Sequence, residues 1–355
     1  MSGNRRQFAA DVIFPNQILP ETVRHLVAMN SIFADDGMDL APQHALKALA
    51  MRDLLLGTYR EHFPIQEVLD PRIAAQQIAE DHFFPFFFVI GSQIIGTASV
   101  MPDGHGGAEF GRTAVRRDNW GLGIGDLLLN ARFSFARIYA KPLNIHWFYC
   151  HARAANSRIQ EIWLNSPHHL IPVGIAPYYR LDIVEFLTIF IRHFGKVHPI
   201  QAVECLPDLQ SMVQAVCEQF QSCDIAWAMG QEDVVKVPDD YHGYYHKLYI
   251  SQLDFDVNAI MEDEKYTEVW CPTTLKGVHR CQRALLDAGF IPNAFYPGFN
   301  GQPPYLTFGR LPKHTDVRAA NFPAELRASL LGQQINKTYT AFCDGAKIHK
   351  GDPFV

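Results

Sequence analysis

The stretch Trp120-Gly121-Leu122-Gly123-Ile124-Gly125-Asp126, followed at once by Leu127-Leu128-Leu129, decides how this chain is read. Three alternating glycines run into a string of strong helix formers, so a tight turn opens directly into a helix. The helical pattern continues through Phe133, Ala136 and Ile138. Such a turn suits an anion. Glycines let the backbone come close, the unpaired N–H groups of the first helical turn point at one spot, and the helix dipole adds positive potential there. The alternative is a tight turn that serves only close helix–strand packing.

Working outward, Phe84–Ile90 reads as a buried strand, Gly91-Ser92 as a turn and Ile94–Val100 as the return strand of a hairpin. Ala108–Val115 alternates as a third strand that ends at Arg116-Arg117-Asp118-Asn119, just before the glycines. A dinucleotide fingerprint would want G-x-G-x-x-G after the first strand of a parallel sheet, and a Walker A loop would want Gly-Lys-Ser/Thr. The spacing and the antiparallel context fit neither, and no G-x-S-x-G marks a serine hydrolase.

Helical patterns precede the hairpin from Pro20, over Ala41–His62 and over Pro71–Asp81. Beyond the turn, Ile145–Cys150 reads as a strand and Asn156–Leu164 as a short helix. Pro167–Pro177 holds an extended segment, Ile183–Phe194 is an apolar element, and Gln201–Cys205 is a candidate strand. Asp208–Gln221 looks helical and Val234–Tyr244 polar and turn-rich. Strand patterns return at Thr267–Cys271, Phe295 and Tyr305–Phe308, with a helix at Val278–Ala288. After Pro312 the chain reads as a polar tail with one helix near Pro323–Leu331.

Two stretches echo each other. Trp147-Phe148-Tyr149-Cys150, a helix with Gln160, then Ile171-Pro172 and Pro177 is followed later by Glu268-Val269-Trp270-Cys271, a helix with Gln282, then Ile291-Pro292 and Pro297. The I-P-x-x-x-x-P spacing is identical, which suggests a duplication whose second copy has no G-x-G-x-G upstream.

With 355 residues, 48% of them hydrophobic, the chain can bury a large core and has room for two domains. The formal net charge of -6 gives no general pull toward nucleic acid or anionic membrane. Seven cysteines without a C-x-x-C pair argue against metal binding and a disulfide framework. Adjacent residues such as His168-His169 rarely face the same ion, and the sequence makes no acidic ligand evident for them. The apolar runs are far shorter than the ~20 residues of a membrane span, and no signal peptide is evident, so the expectation is a soluble, cytoplasmic protein.

Phe86–Val100, Glu109–Val115, the turn Trp120–Gly125 and the helix from Asp126 resemble the GNAT superfamily of acyl-CoA N-acyltransferases. In that family a Q/R-x-x-G-x-G/A motif holds the pyrophosphate of acetyl-CoA through loop amides. Trp147–His151 resembles the family's fifth strand, and Asn156–Trp163 its N-x-x-A-x-x-L-Y helix. The resemblance covers about 21–177, and Thr267–Leu311 is similar to the C-terminal half of another such unit. It implies an α/β fold of the α+β kind: a mixed, largely antiparallel sheet flanked by helices, then a second, smaller GNAT-like domain. The expected division is a catalytic domain at 10–205, a degenerate domain at 206–312 and a C-terminal tail at 313–355.

The resemblance also implies a co-substrate, acetyl-CoA or another acyl-CoA, and a small-molecule or peptide amine as acceptor, with no metal, nucleic acid or membrane. Expected cofactor-binding residues are Thr113, Ala114, Val115, Trp120, Gly121, Leu122, Gly123, Ile124, Gly125, Asp126 and Asn156. Expected catalytic residues are Glu109 as base, and Tyr149 and His151 as acid or base. Tyr178, Tyr179 and the Tyr241–His246 cluster are candidates for the acceptor pocket, and Arg116 and Arg117 for CoA phosphates. Two positions depart from the family pattern. Trp120 fills the Q/R position, and Trp163 fills the place of the Tyr that would protonate the thiolate, a role an indole cannot serve. They leave open a non-catalytic acyl-CoA sensor or scaffold, or a changed thioester chemistry. The oligomeric state is not legible.

Overall fold

A computed structural model of the chain describes residues 10–19, 42–59, 69–103, 106–180, 183–194, 203–220, 240–242, 245–250, 257, 266–298, 303–312 and 315–350. It divides into two compact units, Met1–Phe148 and Tyr149–Val355. The helical pattern expected from Pro20 lies outside the described residues, as do residues 60–62 at the end of the second expected helix.

The first unit is a four-stranded antiparallel sheet in the order β1 (Ala10–Ile13), β2 (Phe84–Ile90), β3 (Gln93–Pro102), β4 (Gly107–Val115). The alternation of β2 decides which helix covers which face. Phe87 and Val89 join Leu49, Leu55, Ala74 and Ile78 from α1 (Pro42–Tyr59) and α2 (Pro71–Ala79). Phe84 and Phe86 pack on Phe135 of α3 (Ile124–Tyr139) on the other face. Phe110, Phe133 and Phe148 cluster there too, fully buried, each contributing about 1.5–3 kcal/mol. α2 starts where its sequence says it should: Asp70 caps the Arg72 amide at 2.9 Å, and Pro71 fills the first turn.

In the second unit the strand order is β5 (Trp147–Arg153), β7 (Ile183–His193), β6 (Ile171–Arg180), β11 (Ile291–Tyr296), β12 (Tyr305–Arg310), β10 (Tyr266–Pro272), β9 (Tyr245–Tyr249), β8 (Asp240–His242). The unit boundary falls inside β5. Helices α4 (Ser157–Leu164), α5 (Pro207–Cys217) and α6 (Val278–Asp287) accompany the strands. Read outward from its centre, the order is palindromic: β6, β7, β5 on one side and β11, β12, β10 on the other. Gly174 and Ala294 pair across the middle. The register slips after each Ile-Pro, between Pro172 and Gly174 and between Pro292 and Ala294.

The fold is therefore the mixed, mostly antiparallel α/β sheet flanked by helices that the sequence predicts. Two element expectations need correction. The described part of Gln201–Cys205 is not a strand, because Glu204 bonds singly to Thr273 instead of entering a ladder. The segment after Pro312 is no simple tail. It forms β13 (Asp316–Arg318), α7 (Ala324–Ala328), α8 (Leu330–Phe342) and β14 (Lys347–His349). β13 pairs in parallel with β7, and Tyr339 and Phe342 pack on Phe186. Among the described residues no helix is long and apolar enough to cross a membrane.

Candidate active site

β4 is the strand that carries the first unit's candidate chemistry, and it is kinked. Thr97 pairs with Ala114 but Ser99 pairs with Gly111, so Arg112 and Thr113 together face a single residue of β3. Arg112 sits at φ 49°, a left-handed conformation costly for a side chain with Cβ. Its guanidinium reaches back to Glu109, Nη1 to Oε2 at 2.8 Å, both side chains largely buried. Tyr59 of α1 donates its hydroxyl to the Thr113 carbonyl at 3.0 Å, and Ser99 donates to the Gly111 carbonyl at 3.0 Å. Two side chains thus hold carbonyls in and beside the bulge.

The chain then turns through a short 3₁₀ segment, Arg117–Asn119. Trp120 donates its indole N–H to the Val115 carbonyl at 2.7 Å, with the Arg117 guanidinium 5.7 Å from its ring centroid. Gly121 and Gly123 have φ 81° and 74°. A Cβ on Gly121, Gly123 or Gly125 would meet nothing within 4 Å, so the turn faces open space. Ile124 is the anchor: it is buried, and its Cγ2 stands 3.0 Å from where a Cβ on Gly96 would lie. The first bond of the following helix runs from Leu127 N to Gly123 O at 3.2 Å. Among the described residues the amides of Gly123, Ile124, Gly125 and Asp126 have no protein acceptor. Four N–H donors, the positive end of a helix of sixteen residues and an open approach form an anion cradle.

Tyr149, His151 and Asn156 belong to the second unit. Tyr149 and His151 alternate with buried Phe148, Cys150 and Ala152, so they share one face of β5, their rings 5.7 Å apart edge to face. Arg153, next on that face, donates from Nε to Glu185 Oε1 at 2.8 Å. Asn156 caps α4, its Oδ1 accepting from Arg158 N at 3.0 Å. Trp163 is buried. Tyr178 pairs with Glu185 across β6 and β7. The Tyr179 side chain and those of Tyr241–His246 lie outside the described residues.

Sequence reading missed Tyr59, Arg112 and the Arg153–Glu185 pair. Only Arg112, three residues after Glu109 in a strand, left a signal: an acid and a base at that spacing meet only if the strand bulges.

The family model of the acetyltransferase (GNAT) family matches residues 48–158. Residues 48–158 are a GNAT-family domain. The match takes in the kinked strand, the glycine turn and Asn156. Among solved structures the chain is similar to a GNAT-family structure from Desulfovibrio desulfuricans (14% identity, 52% of this chain and 99% of that one, TM-score 0.35). It is also similar to a GNAT family acetyltransferase from Elizabethkingia anophelis with acetyl-CoA bound (15% identity, 52% and 98%, TM-score 0.30). A third likeness is to the ribosomal-protein-S5-alanine acetyltransferase from Vibrio fischeri (16% identity, 42% and 88%, TM-score 0.33). No curated protein matches the chain.

Proposed function

We propose that the chain is an acyl-CoA-dependent N-acyltransferase that moves an acyl group, acetyl first among them, to the amine of a small molecule or peptide. The observation that carries this reading is the set of open amides at Gly123–Asp126, inside the GNAT-matched segment. A pyrophosphate there gains several charge-assisted hydrogen bonds without any lysine, which suits a chain with formal net charge -6.

The reaction is direct attack in a ternary complex. The neutral amine forms an N–C bond to the thioester carbonyl carbon, the C–S bond breaks, and the ammonium proton leaves as the thiolate departs. Backbone N–H groups near Thr113–Val115 polarise the carbonyl. Glu109 is the candidate proton acceptor, directly or through water. Its Oε2 is held by Arg112 Nη1 at 2.8 Å, which fixes the carboxylate on the kinked strand. Tyr149 and His151 are the candidate proton donors to the thiolate, because the indole of Trp163 cannot be one.

The test is release of free CoA from acetyl-CoA with a panel of polyamines, arylamines and peptide N-termini. Turnover with at least one amine, reduced about 100-fold or more by Glu109→Gln, is expected. Binding of CoA without turnover on any amine contradicts the enzyme and supports the binding-only alternative, which Trp120 and Trp163 at the two departing positions motivate.

A further inference from the structure

Three hydrogen bonds occur twice in the second unit. At the end of β5, Ala154 N donates to Phe186 O at 2.7 Å, Asn321 N donates to Ala154 O at 2.7 Å, and Gln160 Nε2 donates to Asn321 O at 3.2 Å. At the end of β10, Thr273 N donates to Pro304 O at 2.8 Å, Glu204 N donates to Thr273 O at 2.6 Å, and Gln282 Nε2 donates to Glu204 O at 3.3 Å. Both glutamines are fully buried. Each lies on the helix that follows its strand.

What differs is where the clasped residue comes from. Glu204 stands eleven residues beyond His193, the end of β7, yet it is held by Thr273 and Gln282. Asn321 stands eleven residues beyond Arg310, the end of β12, yet it is held by Ala154 and Gln160. Each arm then enters a helix at a proline, Pro207 or Pro323. With the palindromic strand order and the twin register slips, we infer that the second unit is one β-α-β-β module present twice with its C-terminal arms exchanged, and that the C-terminal arm of the second module positions the Ala154–Asn156 turn of the first.

The positioning part rests on the acyltransferase reading. Gln160 Nε2 also lies 3.4 Å from the Arg153 carbonyl, 3.2 Å from that of Ala154 and 3.4 Å from that of Asn156, and Gln160 Oε1 accepts from Thr188 at 2.9 Å. One buried amide therefore fixes the backbone between His151 and Asn156, two candidate site residues, and ties it to residue 321. The second module keeps the clasp, but its sequence offers no counterpart of the Gly121–Gly125 turn. Only residues 250–265, without a glycine, separate β9 from β10 there. The second module's contribution is then mechanical: it supplies the arm. Gln160 is a positioning residue, acting through Asn156.

Hydrogen exchange on the full chain, with steady-state kinetics, tests this. Gln160→Met keeps the volume and removes the bonds. It should speed exchange at 319–322 and leave 203–206 unchanged, while Gln282→Met does the reverse. Gln160→Met should also raise KM for acetyl-CoA about tenfold and change kcat less than about threefold, whereas Gln282→Met leaves KM unchanged. Faster exchange at 203–206 in Gln160→Met overturns the arm exchange. Freed 319–322 with an unchanged KM overturns the positioning role. Should Gln160→Met fail to fold, the wild-type chain decides: acetyl-CoA should slow exchange at 316–342, and no slowing overturns the role. If wild type binds no acyl-CoA, the acyltransferase reading and the positioning role both fall, and the exchange patterns of the two variants still decide the arms.

Discussion

Gly123 shows how much of the site one residue type can announce. At φ 74° it turns β4's exit into α3, and glycine is the side chain for which that conformation is free. Gly123→Ala should therefore cost about 1–2 kcal/mol in urea denaturation even though its methyl meets empty space; an unchanged midpoint would contradict the turn geometry. The glycines were legible because their conformational demand is written in their identity. Arg112 adopts φ 49° as well, but nothing in an arginine announces that. Its conformation is set by Ser99, Tyr59 and Glu109, residues 3 to 53 positions away. Asn156 was expected at the acyl-CoA site; the task the structure gives it is the cap on α4.

The elements of the first unit were readable because their patterns are local. The continuous apolar run of β2 and the hairpin turn at Gly91-Ser92 need no tertiary information. At the C-terminus only the helix near Pro323–Leu331 was readable; α8 was not, since it is held by burying Leu331, Ile335 and Phe342, the last against Phe186 of distant β7. Gly174 carries a similar dependence. A Cβ there would collide with the Asn293 carbonyl oxygen and lie 2.5 Å from Ala294 Cα, at the place where β6 and β11 meet. Gly174→Val should destabilise the chain by about 3 kcal/mol or more, read as a lower urea midpoint with an unchanged fold by circular dichroism. A loss under about 0.5 kcal/mol would contradict the close strand approach.

At the scale of the whole chain, the sequence echo at Ile171-Pro172 and Ile291-Pro292 marked the two register slips, but not the exchanged arms, whose partners lie 69 to 167 residues apart in sequence. Burial also leaves a chain-wide signature in alkali. It pushes Tyr305 and Tyr339 up to about 12, and the Cys205 thiol likewise to about 12. The folded chain keeps protons that the unfolded chain releases near pH 9–10, so stability should fall as pH rises from about 9 toward 12. Urea midpoints measured at pH 8, 9.5 and 11 check this; a midpoint that rises over that range contradicts the burial. In the proposed function the amides at Gly123–Asp126 hold the phosphates of an acyl-CoA. Calorimetric titration of CoA into wild type and Gly125→Trp tests it most directly, because a side chain at Gly125 enters open space and should leave the fold intact. Wild type should bind CoA and Gly125→Trp, at equal melting temperature, should not; equal affinity in the two proteins would overturn the phosphate assignment.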